Sequence, residues 1–439
     1  MAVKYELFQI VSANGENSVN LYDGQFRVLS FDYYESIVSP HITGSLVISS
    51  STGAAKSQDD AQERVGSLYS SLPLRSGCVI LASVKSELGK TLDFHSDPYK
   101  RLYVTDVSVI TKSSTSENIV LKFTSKIALM NETSKVNKHY KGKITDSIKK
   151  IIKEKLKIDE DKTFVDESVN SYSFTGMRKR PFDLFIMLAR QTVPANTANP
   201  GYFCFETKSG FSYLSADTLI NQKAFPKKYF YNGVTEASVE KKDDSNDYKV
   251  GSLVTEKDQS LLSQIRSGVD ASKHIFFNPS TCGFTEVDIS VGNQSLSADP
   301  KFSSLGKKEG LPNVLAQDFN EGNKFHRVQT AILDIGADET NIAANNSPEL
   351  HYAAGTARYN LLFSQSHAIQ VPLNTDLEAG FIIDLEIEST SDDKEQGPDQ
   401  VQSGSYIIKS LCHHIDATTE VTSMKLIRDS YGLHVTGNE

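Results

Sequence analysis

Three places in the chain carry residue types that could do chemistry. Gly89-Lys90-Thr91 follows the apolar run Cys78–Val84, as the phosphate-cradling turn of a nucleotide site follows its strand. That pattern needs a glycine five residues before Gly89, and position 84 is Val. A helix should also follow, yet Asp93–Tyr99 contains Pro98 and reads as a loop. The tripeptide is read as a turn. His413-His414 raises the question of a metal, but adjacent side chains on a strand point to opposite faces. No Cys or carboxylate at ligand spacing completes a zinc site there.

The acidic residues could be paired in many ways, and glycosidase chemistry is defined by a separation in space, so spacing nominates no pair. Neither a GxSxG elbow nor an HExxH helix occurs. The absence of Trp weakens a sugar-stacking platform. The basic stretch from Lys135 to Lys157 could touch phosphates, but an amphipathic helix with a solvated lysine face gives the same pattern, and no aromatics interleave for base stacking. No catalytic, cofactor-binding or metal-ligating residue is expected, and the chain is not read as an enzyme.

With 439 residues the chain has room for two to four domains. Its 38% hydrophobic and 23% charged content is ordinary for a soluble protein. The net charge of -9 argues against a duplex-binding surface covering the whole molecule. It suits a wall that nucleic acid passes without sticking, and solubility alone explains it as well. No stretch approaches the ~18 apolar residues of a membrane span, and the start, Met1–Glu6, has no apolar signal region. Cys78, Cys204, Cys282 and Cys412 lie far apart and read as reduced, mostly buried thiols of a protein made in a cytoplasm.

The elements divide the chain in three. Residues 1–130 read as all-β, with strands in Tyr33–Ser51, Cys78–Val84, Tyr103–Thr111 and Ile119–Ser125, and a polar loop or short helix over Ala54–Leu68. Residues 131–225 read as α+β. Ile144, Ile148, Ile151, Ile152 and Leu156 make one amphipathic helix. Pro181 opens a second, which stops before Pro194. Gly201–Tyr213 forms a hairpin around Lys208-Ser209-Gly210. Residues 226–439 are again mainly β, with an accessory β region at about 250–345, a polar turn at Asp243–Asp247 and loops at Gly292–Lys308 and Asp392–Gln402.

The run from Arg358-Tyr359-Asn360-Leu361-Leu362-Phe363 through Ile369–Pro372, Asp376–Ile383 and Ser403–Ile408 to Arg428–Gly432 reads as successive β-strands with a Gly turn before each core strand. Its core and turn candidates are Gly380, Phe363, Ile382, Ile383, Tyr406 and Gly404. A faint repeat relates it to the first third. Pro73-Leu74, Gly77 and Val79-Ile80-Leu81, then Tyr103-Val104 and a strand ending at Ser125, parallel Pro372-Leu373, Gly380 and Ile382-Ile383, then Tyr406-Ile407 and a strand ending at Ser430.

Taken with Tyr34-Glu35-Ser36-Ile37-Val38-Ser39-Pro40, Thr43-Gly44, Pro181-Phe182-Asp183 and Gly201–Thr207 with Gly210-Phe211, this order of motifs resembles the central baseplate hub of contractile-tailed, T-even-like bacteriophages. The resemblance covers nearly the whole chain and is thin at about 240–350. It implies a β-rich α+β multidomain fold. Two similar tube-type β-barrel domains and a smaller α+β insert would form a trimeric, pseudo-sixfold ring. It implies a structural adaptor between a sixfold tail tube and a threefold spike, forming part of the DNA conduit. The implied partners are the chain itself as homotrimer, a separate central spike protein, tail tube or tube-initiator proteins, and the tape measure and baseplate wedge. DNA is met only in transit, without stable membrane insertion. The implied place is the virion baseplate, after assembly in the host cytoplasm. Two rival readings are a trimeric receptor- or carbohydrate-binding tail protein and a tail-associated peptidoglycan hydrolase. The chain ends at Glu439 without a shaft repeat, hence the expectation of a separate spike.

Overall fold

The computed structural model describes residues 4–21, 26–51, 72, 74–113, 116–197, 199–232, 247–257, 260–268, 271–279, 282–290, 304–305, 327–332, 348–389 and 398–430. Ala54–Leu68, Pro73, most of Asp243–Asp247, most of Gly292–Lys308, part of Asp392–Gln402 and Tyr431-Gly432 lie outside the described residues.

Alternating apolar residues in the first third produce β1 (Lys4–Val11), β2 (Ser18–Asn20), β3 (Phe26–Ser36), β4 (Thr43–Ser51), β5 (Val79–Lys85), β6 (Leu92–Asp93), β7 (Leu102–Lys112) and β8 (Ser116–Ser125). In β4, Gly44, Leu46, Ile48 and Ser50 face inward and the residues between them outward, the period of two that a half-buried strand requires. The middle third holds α1 (Lys126–Thr133), β9 (His139–Tyr140), α2 (Ile144–Ile151), β10 (Thr163–Val165), β11 (Phe174–Thr175), α3 (Pro181–Ala189), β12 (Tyr202–Thr207), β13 (Gly210–Ser215) and α4 (Ala216–Asn221). The isoleucine face of α2 continues through a single π turn, Ile152–Leu156, and all five apolar residues of that stripe are buried. The lysines opposite remain solvated, with Lys138 paired to Glu154 (3.0 Å) and Lys153 to Glu160 (2.9 Å). Pro181 occupies the first turn of α3, where its missing N–H costs nothing.

The last part comprises β14 (Tyr229–Tyr231), β15 (Ser252–Lys257), α5 (Leu261–Ser267), β16 (Ala271–Asn278), β17 (Gly283–Ser290), β18 (Arg327–Ile332), α6 (Pro348–Leu362), β19 (Gln365–Pro372), β20 (Ile382–Ile387), β21 (Gly404–Asp416) and β22 (Glu420–Arg428). One element corrects the sequence reading. Arg358–Leu362 is the last turn and a half of helix α6, and the strand begins only at Gln365. Taken alone, Leu361-Leu362-Phe363 looks like a core strand. The ten residues before Arg358 decide otherwise, with Pro348 at the helix start, Glu349 in its first turn and Ala353, Ala354 and Ala357 on the buried side. Gly355 sits inside this helix because a Cβ there would lie 2.5 Å from the Arg190 carbonyl oxygen.

The main sheet runs β15-β19-β22-β21-β3-β4-β8-β7-β5-β1-β2, with β20 on β21, β14 on β20 and β6 on β5. Within it one pairing plan occurs twice. β3-β4, β4-β8, β8-β7 and β7-β5 are antiparallel neighbours in the first part. β15-β19, β19-β22, β22-β21 and β21-β20 repeat them in the last part. The match extends to single hydrogen bonds. Gly77 N–H donates to the Val104 carbonyl (2.7 Å) and Val104 N–H to that of Cys78 (2.8 Å). Gly380 N–H donates to the Ile408 carbonyl and Ile408 N–H to that of Phe381, both at 2.8 Å. These bonds make Val104 the counterpart of Ile408, so Tyr103 corresponds to Ile407. The spacing of the sequence repeat, which set Tyr103 against Tyr406, is therefore off by one residue.

The two copies meet where β3 pairs with β21, from Ser36 opposite Ser410 to Ser30 opposite Asp416. Phe8, Phe31, Leu46, Ile80 and Phe123 belong to one apolar core and Tyr229, Ile383, Tyr406, Ile408 and Leu426 to another. The middle third has its own core around Ile148, Leu184 and Phe211. A separate small sheet, β17-β16-β18, packs on α6.

Candidate functional site

The polar residues of the C-terminal motifs converge where the hairpin β12–β13 meets the main sheet. Phe31, Tyr33 and Glu35 all point inward on β3, so the strand that buries two aromatic rings also buries a carboxylate. Glu35 Oε1 accepts from the Tyr33 hydroxyl (2.8 Å) and from Lys208 N–H (2.7 Å), and Oε2 from Ala379 N–H (3.0 Å). Glu378 takes the hydroxyls of Thr207 and Ser209, both at 2.6 Å, and lies 3.7 Å from the Lys208 ammonium. Lys208 Nζ also donates to the carbonyls of Thr375 and Leu377. On the other side of the hairpin, Glu206 accepts from Ile42 N–H (3.1 Å) and the Ser125 hydroxyl and faces the Tyr99 phenol.

Glu35 and Glu378 thus share the Lys208 ammonium, while Glu206 lies across the hairpin among hydrogen-bond donors, and full ionisation of all three would leave uncompensated buried charge. Protons make up the difference. Burial, and then the neighbouring Glu378, push Glu35 up to about 7. Burial pushes Glu206 up to about 8 against the pull of its hydrogen-bond donors. His413, stacked on Tyr33 with ring centroids 6.1 Å apart, is driven the other way, to about 3, by burial and the nearby Lys208 charge.

The turn that carries Glu378 ends at Gly380, whose φ of +92° belongs to the left-handed region. A Cβ at this position would lie 3.1 Å from the Phe205 ring. Ile382 and Ile383 follow as buried residues on opposite sides of β20 and join different cores. Gly404 opens β21 at φ +138°. Tyr406 is fully buried, its hydroxyl 2.5 Å from the Gln402 carbonyl and 3.1 Å from His367 Nε2. The Arg428 guanidinium lies 4.6 Å over the Tyr406 ring and donates to the carbonyls of Ser430, Ser403 and Val401. Phe363, half-buried, carries Lys409 Nζ 5.2 Å over its ring.

Arg358, buried on α6, bridges Asp217 (2.8 Å) and Asp429 (3.4 Å). The neighbouring Tyr359 exchanges hydrogen bonds with both backbone groups of Tyr202. Gly89-Lys90-Thr91, which follows β5, is a turn that packs against Thr375 and Asp376. Lys90 N–H donates to Asp376 (2.9 Å), and Thr375 Oγ1 donates to the Lys90 carbonyl (2.5 Å). His413 and His414 point to opposite faces, His414 lying 2.5 Å from Asp32 across the β3–β21 seam. Sequence reasoning did not single out Glu35, Glu206, Lys208 or Asp217. For Glu35 the signal was present, since it shares inward parity with Phe31 and Tyr33.

No protein-family model matches the chain, and no curated protein matches it in sequence. Solved structures do match in fold. The 43 kDa tail protein of prophage MuSo2 from Shewanella oneidensis superposes with a TM-score of 0.53 at 10% identity, covering 97% of this chain and 99% of that one. A tail protein from Neisseria meningitidis MC58 gives 0.53 at 10% identity, over 98% and 97%. The chain therefore has the β-rich fold of these tail proteins along its whole length.

Proposed function

We propose that this chain is the central hub of a contractile phage-tail baseplate, a homotrimer that adapts a sixfold tail tube to a threefold spike and forms part of the DNA conduit. The observation that carries the reading is the pairing plan repeated within one sheet. A chain holding two like units lets three copies present six. In this reading residues 1–130 and 226–439 form the two tube-like units and 131–225 decorates them. The whole-length likeness in fold to tail proteins supports a place in the virion tail. The separate spike, tube or tube-initiator proteins, tape measure and wedge are the proposed neighbours.

Native mass spectrometry of the purified protein, alone and with the neighbouring spike protein, tests this. The expected result is three chains, three plus three with the spike, and class averages with a nearly sixfold outline. Monomers or dimers under every condition overturn the reading. We further propose that the hub has no catalytic activity of its own. Clearing of a peptidoglycan suspension by the hub alone, abolished by one Asp or Glu substitution, would instead establish a hydrolase.

A further inference from the structure

The duplicated plan leaves one difference between its two copies. In the second copy, β20 covers only the start of β21, from Gly404 to Ile407. β3 takes the rest of that edge, from Ser410 to Asp416. In the first copy β5 likewise covers only Leu102 and Tyr103 of β7. Among the described residues no strand takes the edge beyond Val104. At the far end of the sheet β15, the counterpart of β3, pairs only with β19 among the described residues. Among the described residues there is thus one filled seam, β3 on β21, and two unfilled halves of a second, β15 and β7.

We propose that β15 of one protomer pairs antiparallel with the Asp106–Lys112 edge of β7 in a second copy of this chain, repeating between chains the seam that β3 and β21 form within one.

The equivalences fix the register. β7 and β21 bulge at the same step, just after Val104 and Ile408, which pair with Phe123 and Leu426. Counting on from there, Val109 and Ile110 take the places of His413 and His414. Phe123 pairs with Gly44, which pairs with Tyr33. Leu426 pairs with His367, which pairs with Thr255. Thr255 therefore takes the place of Tyr33, and Val254 that of Asp32. Since His414 pairs with Asp32 within the chain, Ile110 of one protomer meets Val254 of the next, to within the one-residue bulge at Val109/Thr111.

The side chains agree with this register. Ile110 is 62% exposed, Val254 59% and Val109 41%. Large apolar residues left in water on two sheet edges, and brought opposite each other by an alignment that did not use their exposure, mark a contact between copies. The contact is head-to-tail, so it closes a ring if the rotation permits and makes open filaments if it does not. Closure at three rests on the hub reading above, whereas the seam does not.

Oxidative cross-linking separates the two. In a Cys282→Ser background, chains carrying Ile110→Cys are mixed with chains carrying Val254→Cys. The expected result is a disulfide between the two kinds of chain and none within either kind alone. The double variant should close into a covalent species of three chains. A native trimer that gives no cross-link above the single-variant controls overturns the seam and leaves the hub intact. A cross-link that yields only open ladders supports the seam and overturns the closed trimer. In the unaltered protein, amide exchange at 104–112 and 252–257 should slow about tenfold or more as concentration rises. Exchange there that is independent of concentration, in a protein that stays monomeric, overturns the proposal as well.

Discussion

At the scale of single residues, two equivalent glycines separate backbone strain from crowding. Gly77 and Gly380 hold the same hydrogen bonds at φ +97° and +92°. A Cβ at Gly77 would come no closer than 3.6 Å to Ala13, while one at Gly380 would press on the Phe205 ring. Gly77→Ala should cost about 1 kcal/mol, the price of a left-handed backbone alone. Gly380→Val should cost clearly more, read as a larger drop in melting temperature. Equal losses would mean that Phe205 yields freely. The buried carboxyls add a dependence on pH. Glu35 and Glu206 ionise only above their ordinary value of 4.5 in the fold, so their contribution is full below that value and is lost as pH rises through about 7 and 8. His413, pushed down to about 3, works oppositely and only below its ordinary 6.5. On these three groups stability should therefore peak near pH 4.5, decline gently to pH 6.5 while His413 offsets one of the two carboxyls, and fall by about 2 kcal/mol more towards pH 8, at roughly 1.4 kcal/mol per proton per pH unit. Melting curves across that range check this, and Glu206→Gln should flatten the decline.

At the scale of elements, the hairpin β12–β13 is held to the sheet by charge as much as by apolar contact. Removing Lys208 leaves Glu378 without its ammonium, and removing Arg358 strands Asp217 and Asp429 together. Arg358→Met should destabilise by about 3–5 kcal/mol, as breaking one side of a buried ion pair does. Chemical denaturation of the variant measures it, and a loss under 1 kcal/mol would show that water reaches the site. What the sequence disclosed about these elements follows from how local each signal is. The strands β4, β5, β7 and β8, the isoleucine face of α2 and the proline start of α3 are written in period and punctuation over a few residues. Helix α6 escaped notice because Leu361-Leu362-Phe363 is ambiguous until the alanines upstream are counted with it. The carboxyl cluster escaped for a different reason. Its members stand at positions 35, 206, 208 and 378 and become neighbours only through the sheet. The repeat was visible as spacing, but the connection from the glycine to the equivalent strand residue is one residue longer in the second copy, Gly380 to Ile408 against Gly77 to Val104, and loop length leaves no mark in hydrophobic pattern.

At the scale of the whole molecule, the net charge of -9 sets an expectation for the proposed conduit. A passage for DNA works best when its wall does not trap phosphates, so the lumen of the assembled ring should be acidic or neutral overall. The lysines of α2 and the following turn should then lie on another surface. A density map of the ring with Lys149, Lys150 and Lys153 lining the bore would refute that arrangement.

The β3–β21 seam also governs when the protein can finish folding. Asp32 and His414 are 382 residues apart in sequence, so the edge of β3 stays unsatisfied on the ribosome until almost the last strand has emerged. Sheets closed by such distant partners fold slowly, and their waiting edges invite intermolecular mispairing. Chains truncated just before β21 should therefore aggregate through the first unit, although that unit has its own apolar core. Adding a peptide spanning Ser410–Asp416 during synthesis should rescue solubility if the open edge is the cause.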